Sequence, residues 1–346
     1  MKVNSHNEYD PLISVVVGSA TNANFPSSDK MYKESMKRGG WKSPPFPVGI
    51  VPDWIVEETN EDLEVLAFLL RKEDIEVFRP DEMKHWESVK TPDWSTDGQY
   101  AYCPRDNMLV VGDYVIEAPM HTRSRQHEII AYDTIRRAAI KDGARWFSAP
   151  RPRLLDKENG LDRRKYELNN LEPVFDAANI ARFGNELLYL ISDSGNALGA
   201  QWLQNMLPDH TVHTTDVYNA AHIDSTIVPV EYRTVVLNGD RVNDDNLPAF
   251  LKDYKKIYIQ TEDIIPQDFH EYPYASKWIA INMLALGDHR VIVEESQHKI
   301  RHIMERNGFT VIPCPLRHSR TLGGGFHCVT LDLYRSIDVY EGRKPR

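Results

Sequence analysis

The sequence predicts an α/β protein made of five small modules set around a pseudo-fivefold axis. Three observations lead there. A short apolar run, an amphipathic helix and a second apolar run recur along the whole chain, as in an internal array. No glycine-rich dinucleotide turn follows a first strand, as one doubly wound sheet would want, and Gly323, Gly324 and Gly325 lack the Lys-Ser/Thr pair of a phosphate loop. No low-complexity linker divides the chain, so residues 1–346 read as a single domain.

Taken in order, residues 54–57 are expected as a strand before an amphipathic helix over 61–71 and a strand over 75–78. A fainter copy runs from a strand over 108–111 through a helix over 125–141 to a strand at 145–147. The third has strands over 187–191 and 211–214 around a helix over 198–206. The fourth, also faint, has strands over 234–237 and 256–259 around a helix over 247–254. The fifth has strands over 290–293 and 309–312, with a helix over 299–307 ended by Gly308. Residues 37–52, rich in glycine and proline, and the charged stretch 150–173 read as loops.

Composition narrows the function. The chain has 346 residues, 41% hydrophobic and 27% charged, an ordinary balance for a folded soluble protein. A net charge of −10 without a basic stripe argues against nucleic acid as a partner. Three cysteines, Cys103, Cys314 and Cys328, are too few and too scattered for a disulfide framework or a four-ligand zinc site. No apolar run is long enough to span a membrane, and the first ten residues resemble neither a signal nor a transit peptide. A cytoplasmic protein without metal or cofactor is expected.

The segment richest in chemistry is Gly323-Gly324-Gly325-Phe326-His327-Cys328, ahead of a strand-like run from Val329 to Leu333. Glycines admit unusual backbone angles and close approach, so a thiol just beyond them is a candidate nucleophile. The plain alternative is a small buried cysteine. Four further segments sit at module edges: Cys103-Pro104-Arg105-Asp106, Glu172 to Asn179, His222-Ile223-Asp224-Ser225-Thr226, and Ala275-Ser276-Lys277-Trp278, the last opening a helix. His222 and Asp224 lie two apart in what reads as a strand, so both would face one side. Taken singly, Asp106 and Arg241 fit surface charges, Asp176 a turn cap and His222 a core histidine. His327, opposite Cys328 on an extended chain, reads as structural, as do Cys103 and Cys314.

In this order CPRD, VVGDYVIEAPM, EPVFDAAN, HIDST and LGGGFHCVT resemble the arginine amidinotransferases, a family that includes glycine amidinotransferase and the inosamine-phosphate amidinotransferases of aminoglycoside biosynthesis. The resemblance runs from Asn4 beyond Cys328. Ser192 to Asn196, Asp224 to Pro229 and His318 to Thr321 look closer to the inosamine branch. It implies a five-bladed α/β propeller of ββαβ modules, with Cys328 as nucleophile, His222 as acid/base and Asp176 as its partner. Asp106 and Asp224 would hold a guanidinium, and Arg241 and Ser276 the carboxylate of the donor L-arginine. Ala275 stands where the glycine enzyme has a second serine, and Ala221 where that branch has methionine. Both smaller residues leave room for a larger amine, and with His318 they are the acceptor-pocket candidates. Expected partners are therefore small molecules, L-arginine and an acceptor amine such as an inosamine phosphate, glycine or lysine; a homodimer fits the family.

These residue types suit the reaction. A guanidinium is a delocalised cation and a poor electrophile, but a thiolate adding to it gives an uncharged adduct. Carboxylates that bind and align the cation are then the right device, not an oxyanion hole. One histidine can protonate the departing ornithine and deprotonate the incoming amine in turn. A deiminase-type hydrolase using water, and a non-catalytic arginine-binding protein, are the alternative readings.

Overall fold

The computed structural model describes residues 1–39, 45–156, 161–162, 167–267 and 273–336. Five three-stranded sheets repeat one plan: a first strand antiparallel to a second, which is parallel to a third reached by a crossover. The sheet formed first in sequence order by complete strands is Met108–Val111, Tyr114–Glu117 and Arg145–Ser148. The next is Ile180–Phe183, Glu186–Leu190 and Thr211–Thr215, crossed by the helix Ala197–Met206. Ile227–Glu231, Thr234–Asn238 and Lys255–Ile259 follow. Then come Leu284–Gly287, Arg290–Glu294 and Thr310–Cys314, crossed by the helix His298–Arg306. The remaining sheet joins the chain's two ends, with Thr330–Arg335 antiparallel to Leu12–Val17, and Leu12–Val17 parallel to Glu76–Phe78.

The strands are apolar on both faces because each face meets a different core. Val15 and Val17 enter one cluster with Leu284, Leu286 and Ile292, whereas Val16 enters another with Met108 and Val110. Leu109 and Val111 turn the other way, toward Ile180 and Leu187. Leu188 and Leu190 pack with Ile227 and Val235, and Val236 with Val291 and Val293. Period-two alternation therefore appears as a choice between two cores, which explains continuous apolar runs where a one-sided sheet would alternate apolar and polar.

Several expectations need correction. Residues 54–57 are not a strand: they lie inside the helix Asp53–Lys72, which begins after Pro52 with Asp53 in its first turn. The strand of that module is Leu12–Val17. The helix expected over 125–141 is only Asp133–Lys141, preceded by 3-10 turns at Arg123–Arg125 and Glu128–Tyr132 that turn Arg125 and Glu128 inward. The helix over 247–254 reduces to a 3-10 turn, Ala249–Leu251, after Pro248. His222 and Asp224 are not on a strand; His222 precedes the 3-10 turn Ile223–Ser225. The loop expected over 37–52 includes the end of a helix, Lys30–Gly39, and a short strand, Gly49–Ile50, with residues 40–44 outside the described residues. The loop over 150–173 carries the short strand pair Leu161–Asp162 and Glu167–Leu168, and its residues 157–160 and 163–166 lie outside the described residues. Among the described residues, no helix is long and apolar enough to cross a membrane.

Candidate active site

Each of the five sheets is preceded by a short turn that delivers polar side chains. Pro104–Asn107 carries Asp106 ahead of the strand at Met108. Asp176 begins the 3-10 turn Ala177–Asn179, and His222 and Asp224 belong to the turn before Ile227. Ser276 caps the turn Lys277–Ile281, its Oγ accepting the Trp278 N–H at 3.3 Å. Cys328 sits in the turn between Gly325 and the strand that starts at Thr330, one residue later than expected.

These turns border a cavity of about 240 Å³ whose lining includes Cys328, His222, Asp176, Asp106, Asp224, Arg241, Ser276, Ala221 and Ala275. Residues up to 222 positions apart in sequence are thus brought together. His318 is not: it is 1% exposed, 2.7 Å through Nε2 from Glu58 Oε2, and edge-on to Trp54, outside the cavity lining. A carboxylate partner and an aromatic neighbour hold it on the far side of its turn.

The thiol lies among acids. Cys328 Sγ is 3.3 Å from Asp224 Oδ2. Burial pushes its pKa well up, and Asp224 and Asp106 add to this, so the resting group is the neutral thiol. His222 Nε2 is 3.0 Å from Asp176 Oδ2, and its Nδ1 is 3.7 Å from Asp106 Oδ1. Burial alone would lower the His222 pKa, but Asp106, Asp176 and Asp224 outweigh it and push it up to about 9. At neutral pH it is an imidazolium, ready to donate a proton. Burial also favours a neutral Asp176, yet His121 and His222 outweigh this and hold its carboxyl well below the usual range. Asp106 is raised, chiefly by burial. Its Oδ2 accepts from Arg125 Nη1 at 2.8 Å, while its Oδ1 makes no hydrogen bond. Arg241 donates through Nη1 to Thr226 Oγ1 at 3.1 Å at the cavity wall.

Four residues escaped the sequence reading. Arg125 forks onto Glu128 while also holding Asp106, a pairing hidden in what read as a plain helix. His121 lines the cavity, its Nδ1 3.4 Å from Asp176 Oδ1. Asn282 clamps the Cys328 turn: its Oδ1 accepts the Cys328 N–H at 3.0 Å, and its Nδ2 donates to the Asp224 carbonyl at 3.2 Å. No spacing pattern marks Asn282. His327, expected to be structural, contacts Asp224 directly, Nδ1 to Oδ2 at 2.9 Å. Among the described residues, no group of three or more His, Cys, Asp or Glu could hold a metal ion.

The chain belongs to the amidinotransferases. It is 44% identical over 339 residues to inosamine-phosphate amidinotransferase 1 of Streptomyces griseus, an alignment covering 96% of this chain and 97% of that relative. Mitochondrial glycine amidinotransferase of Xenopus tropicalis is more distant, at 34% over 357 residues, covering 96% and 82%. The solved structure of the inosamine-phosphate amidinotransferase from Streptomyces griseus matches with a TM-score of 0.90 and 42% identity, covering 96% of this chain and 97% of that one. No family model matches the chain.

Proposed function

We propose that this amidinotransferase takes the amidino group of L-arginine onto Cys328, releases L-ornithine and passes the group to an acceptor amine. The observation that carries this reading is the meeting of the Cys328 thiol, the His222 imidazolium and the carboxylates of Asp106, Asp176 and Asp224 in a single cavity. The donor guanidinium lies between Asp106 and Asp224, and its carboxylate reaches Arg241 and Ser276. A cation there offsets the acids that keep Cys328 protonated, so the thiol proton is released to solvent as the donor binds. The thiolate forms a C–S bond with the guanidinium carbon, and the C–N bond to ornithine breaks as His222 gives that nitrogen its proton. His222, now neutral and oriented by Asp176, takes a proton from the acceptor amine as it attacks, and the C–S bond breaks to return the thiolate.

An inosamine phosphate leads as acceptor over glycine or lysine. The higher identity to the inosamine-phosphate enzyme and the small Ala221 and Ala275 on the cavity wall support it. The same reading makes residues 1–346 one domain, a five-bladed α/β propeller of ββαβ blades. Its support is that each of five apolar clusters joins two sheets, and that one sheet unites both chain ends. A cytoplasmic homodimer completes it, by the family resemblance, and sedimentation would test the dimer.

An acceptor screen with arginine as donor, read by mass, tests the function. Ornithine formed only with an added amine is expected, and Cys328→Ala is expected to reduce turnover by roughly 10⁴-fold or more. Steady citrulline release from arginine alone would point instead to hydrolysis.

A further inference from the structure

Behind Cys328, Asp224 continues into two buried ionisable groups that the proposed reaction does not use, His327 and Glu8. His327 is 3% exposed, Glu8 3% and Asp224 3%. His327 Nδ1 is 2.9 Å from Asp224 Oδ2, and Nε2 is 2.9 Å from Glu8 Oε2. Ionised carboxylate oxygens only accept hydrogen bonds, so an imidazole facing one at each nitrogen satisfies both only by carrying two protons. A neutral ring would set a lone pair against one buried carboxylate, an expensive arrangement away from water.

We propose that Glu8, His327 and Asp224 form a permanent carboxylate–imidazolium–carboxylate rail, in which His327 is a positioning residue that keeps Asp224 ionised and aimed at the donor guanidinium. The inference rests on the reading of Asp224 as a guanidinium ligand.

The surroundings fit this charge state. The charged groups facing His327 are Glu8, Asp224 and Arg105, whose Nε donates to the His327 carbonyl at 2.7 Å. Arg105 opposes a charge on His327 but is paired with Asp332 at 2.5 Å, an acid it shares with Arg182 and Arg335, and the far side of Glu8 meets Arg182 Nε at 3.5 Å. Two carboxylates therefore bracket the ring, while the nearest guanidinium is committed to a third acid. Glu8 comes from the N-terminal segment, Arg105 from the Pro104–Asn107 turn, Arg182 from the Ile180–Phe183 strand and Asp332 from the Thr330–Arg335 strand, so these surroundings are complete only once the molecule has closed. The Asp224 carboxyl, held down to about 2 with His327 as the leading lowering cause against burial, is the group that would feel its loss. Asp224 Oδ2 serves both His327 and the Cys328 thiol, so a ring that swings away also frees that oxygen.

The decisive measurement needs no variant. Neutron diffraction from perdeuterated enzyme near pD 8, where an ordinary histidine is neutral, is expected to show deuterium on both ring nitrogens of His327. A single deuterium would overturn the proposal. Kinetics then test its purpose. In His327→Gln the KM for arginine should rise roughly ten- to hundredfold, the loss of about one charge-assisted hydrogen bond. The acid limb of kcat/KM should also move to higher pH, because Asp224 then protonates more easily. Glu8→Gln should move both in the same direction by less. A lower yield of folded enzyme with an unmoved acid limb would mean a purely structural role and sink the inference. Asp224→Asn separates the two readings: if it leaves arginine KM unchanged, the guanidinium assignment fails, whereas if it raises KM and His327→Gln does not, only the rail fails.

Discussion

His222 carries the most informative protonation state of the site. Its pKa is pushed up from the ordinary 6.5 to about 9 by the acids around it, against the effect of burial. A group whose pKa is higher folded than unfolded stabilises the fold fully below the unfolded value, and that contribution is lost as pH rises through the folded one. The difference in Tm between wild type and His222→Gln should therefore shrink as pH climbs from 6.5 to about 9. A difference that stays flat over that window would rule out a buried imidazolium. The thiol's pKa is raised as well, but there the raised value holds the neutral form. Because burial and Asp224 keep Cys328 protonated, alkylation of the free enzyme by iodoacetamide should be slow at pH 8 compared with a small free thiol, and should keep accelerating with pH beyond 9. A rate that saturates below pH 8 would show a thiolate already formed at rest. Of these residues, Cys328 could be picked from the chain by its chemistry, and His222, which taken singly fits a core histidine, only by the family resemblance. Asn282 and His121 could not, since a single amide or imidazole has meaning only once its partner, tens of positions away, is known.

Packing around the turn Gly323–Gly325 explains why glycines precede Cys328. Gly323 has φ +79°, a left-handed conformation, and a Cβ there would also meet the Tyr274 ring. A Cβ on Gly324 would fall 2.6 Å from Cys103 Sγ and 3.2 Å from Cys328 Cβ. Gly324→Ala is accordingly expected to push the thiol off its line of attack. A displacement of about 1 Å costs roughly a hundredfold in kcat, and overpacking costs about 1–3 kcal/mol of stability. Steady-state kinetics with a matched melting curve would separate the two, and unchanged kcat would mean that the thiol has room to spare. Cys103 thus has a packing part, filling the space beside Gly324. At this scale the helices Ala197–Met206 and His298–Arg306 were legible almost to the residue. Asp53–Lys72 was legible as a helix but not in its start, because Trp54-Ile55-Val56 suits either state and only the cap at Pro52–Asp53 settles it.

Across the whole molecule, Asp332 ties segments that no local pattern connects. Its carboxylate receives Arg105 and Arg182 at 2.5 Å each, Arg335 at 2.9 Å and Ser5 at 2.7 Å, with its side chain fully buried. Removing one member of a buried ion pair leaves the others uncompensated, so Asp332→Ala should destabilise by about 3–5 kcal/mol. Urea denaturation should show this as a lower midpoint with an unchanged slope. A loss below 1 kcal/mol would mean that the three guanidinium groups find other partners. The network also fastens the Arg105 side of the Pro104–Asn107 turn to the carbonyls of His327 and Thr330, so the position of Cys328 depends on the closure of the molecule.

The chain by itself determined the repeating strand–helix–strand plan, since apolar runs and helical periodicity are local properties. It also made candidate site residues visible, because a cysteine after glycines and acids at module edges can be read as letters. Tertiary structure decided which acid does what. Asp106 is held by Arg125, Asp176 is shared by two histidines and Asp224 touches the thiol, all through contacts between residues far apart in sequence. It also decided that His318 turns away from the cavity while His327 turns toward Asp224. Side-chain direction and burial depend on what packs against a turn, and that packing partner is named nowhere in the turn's own residues.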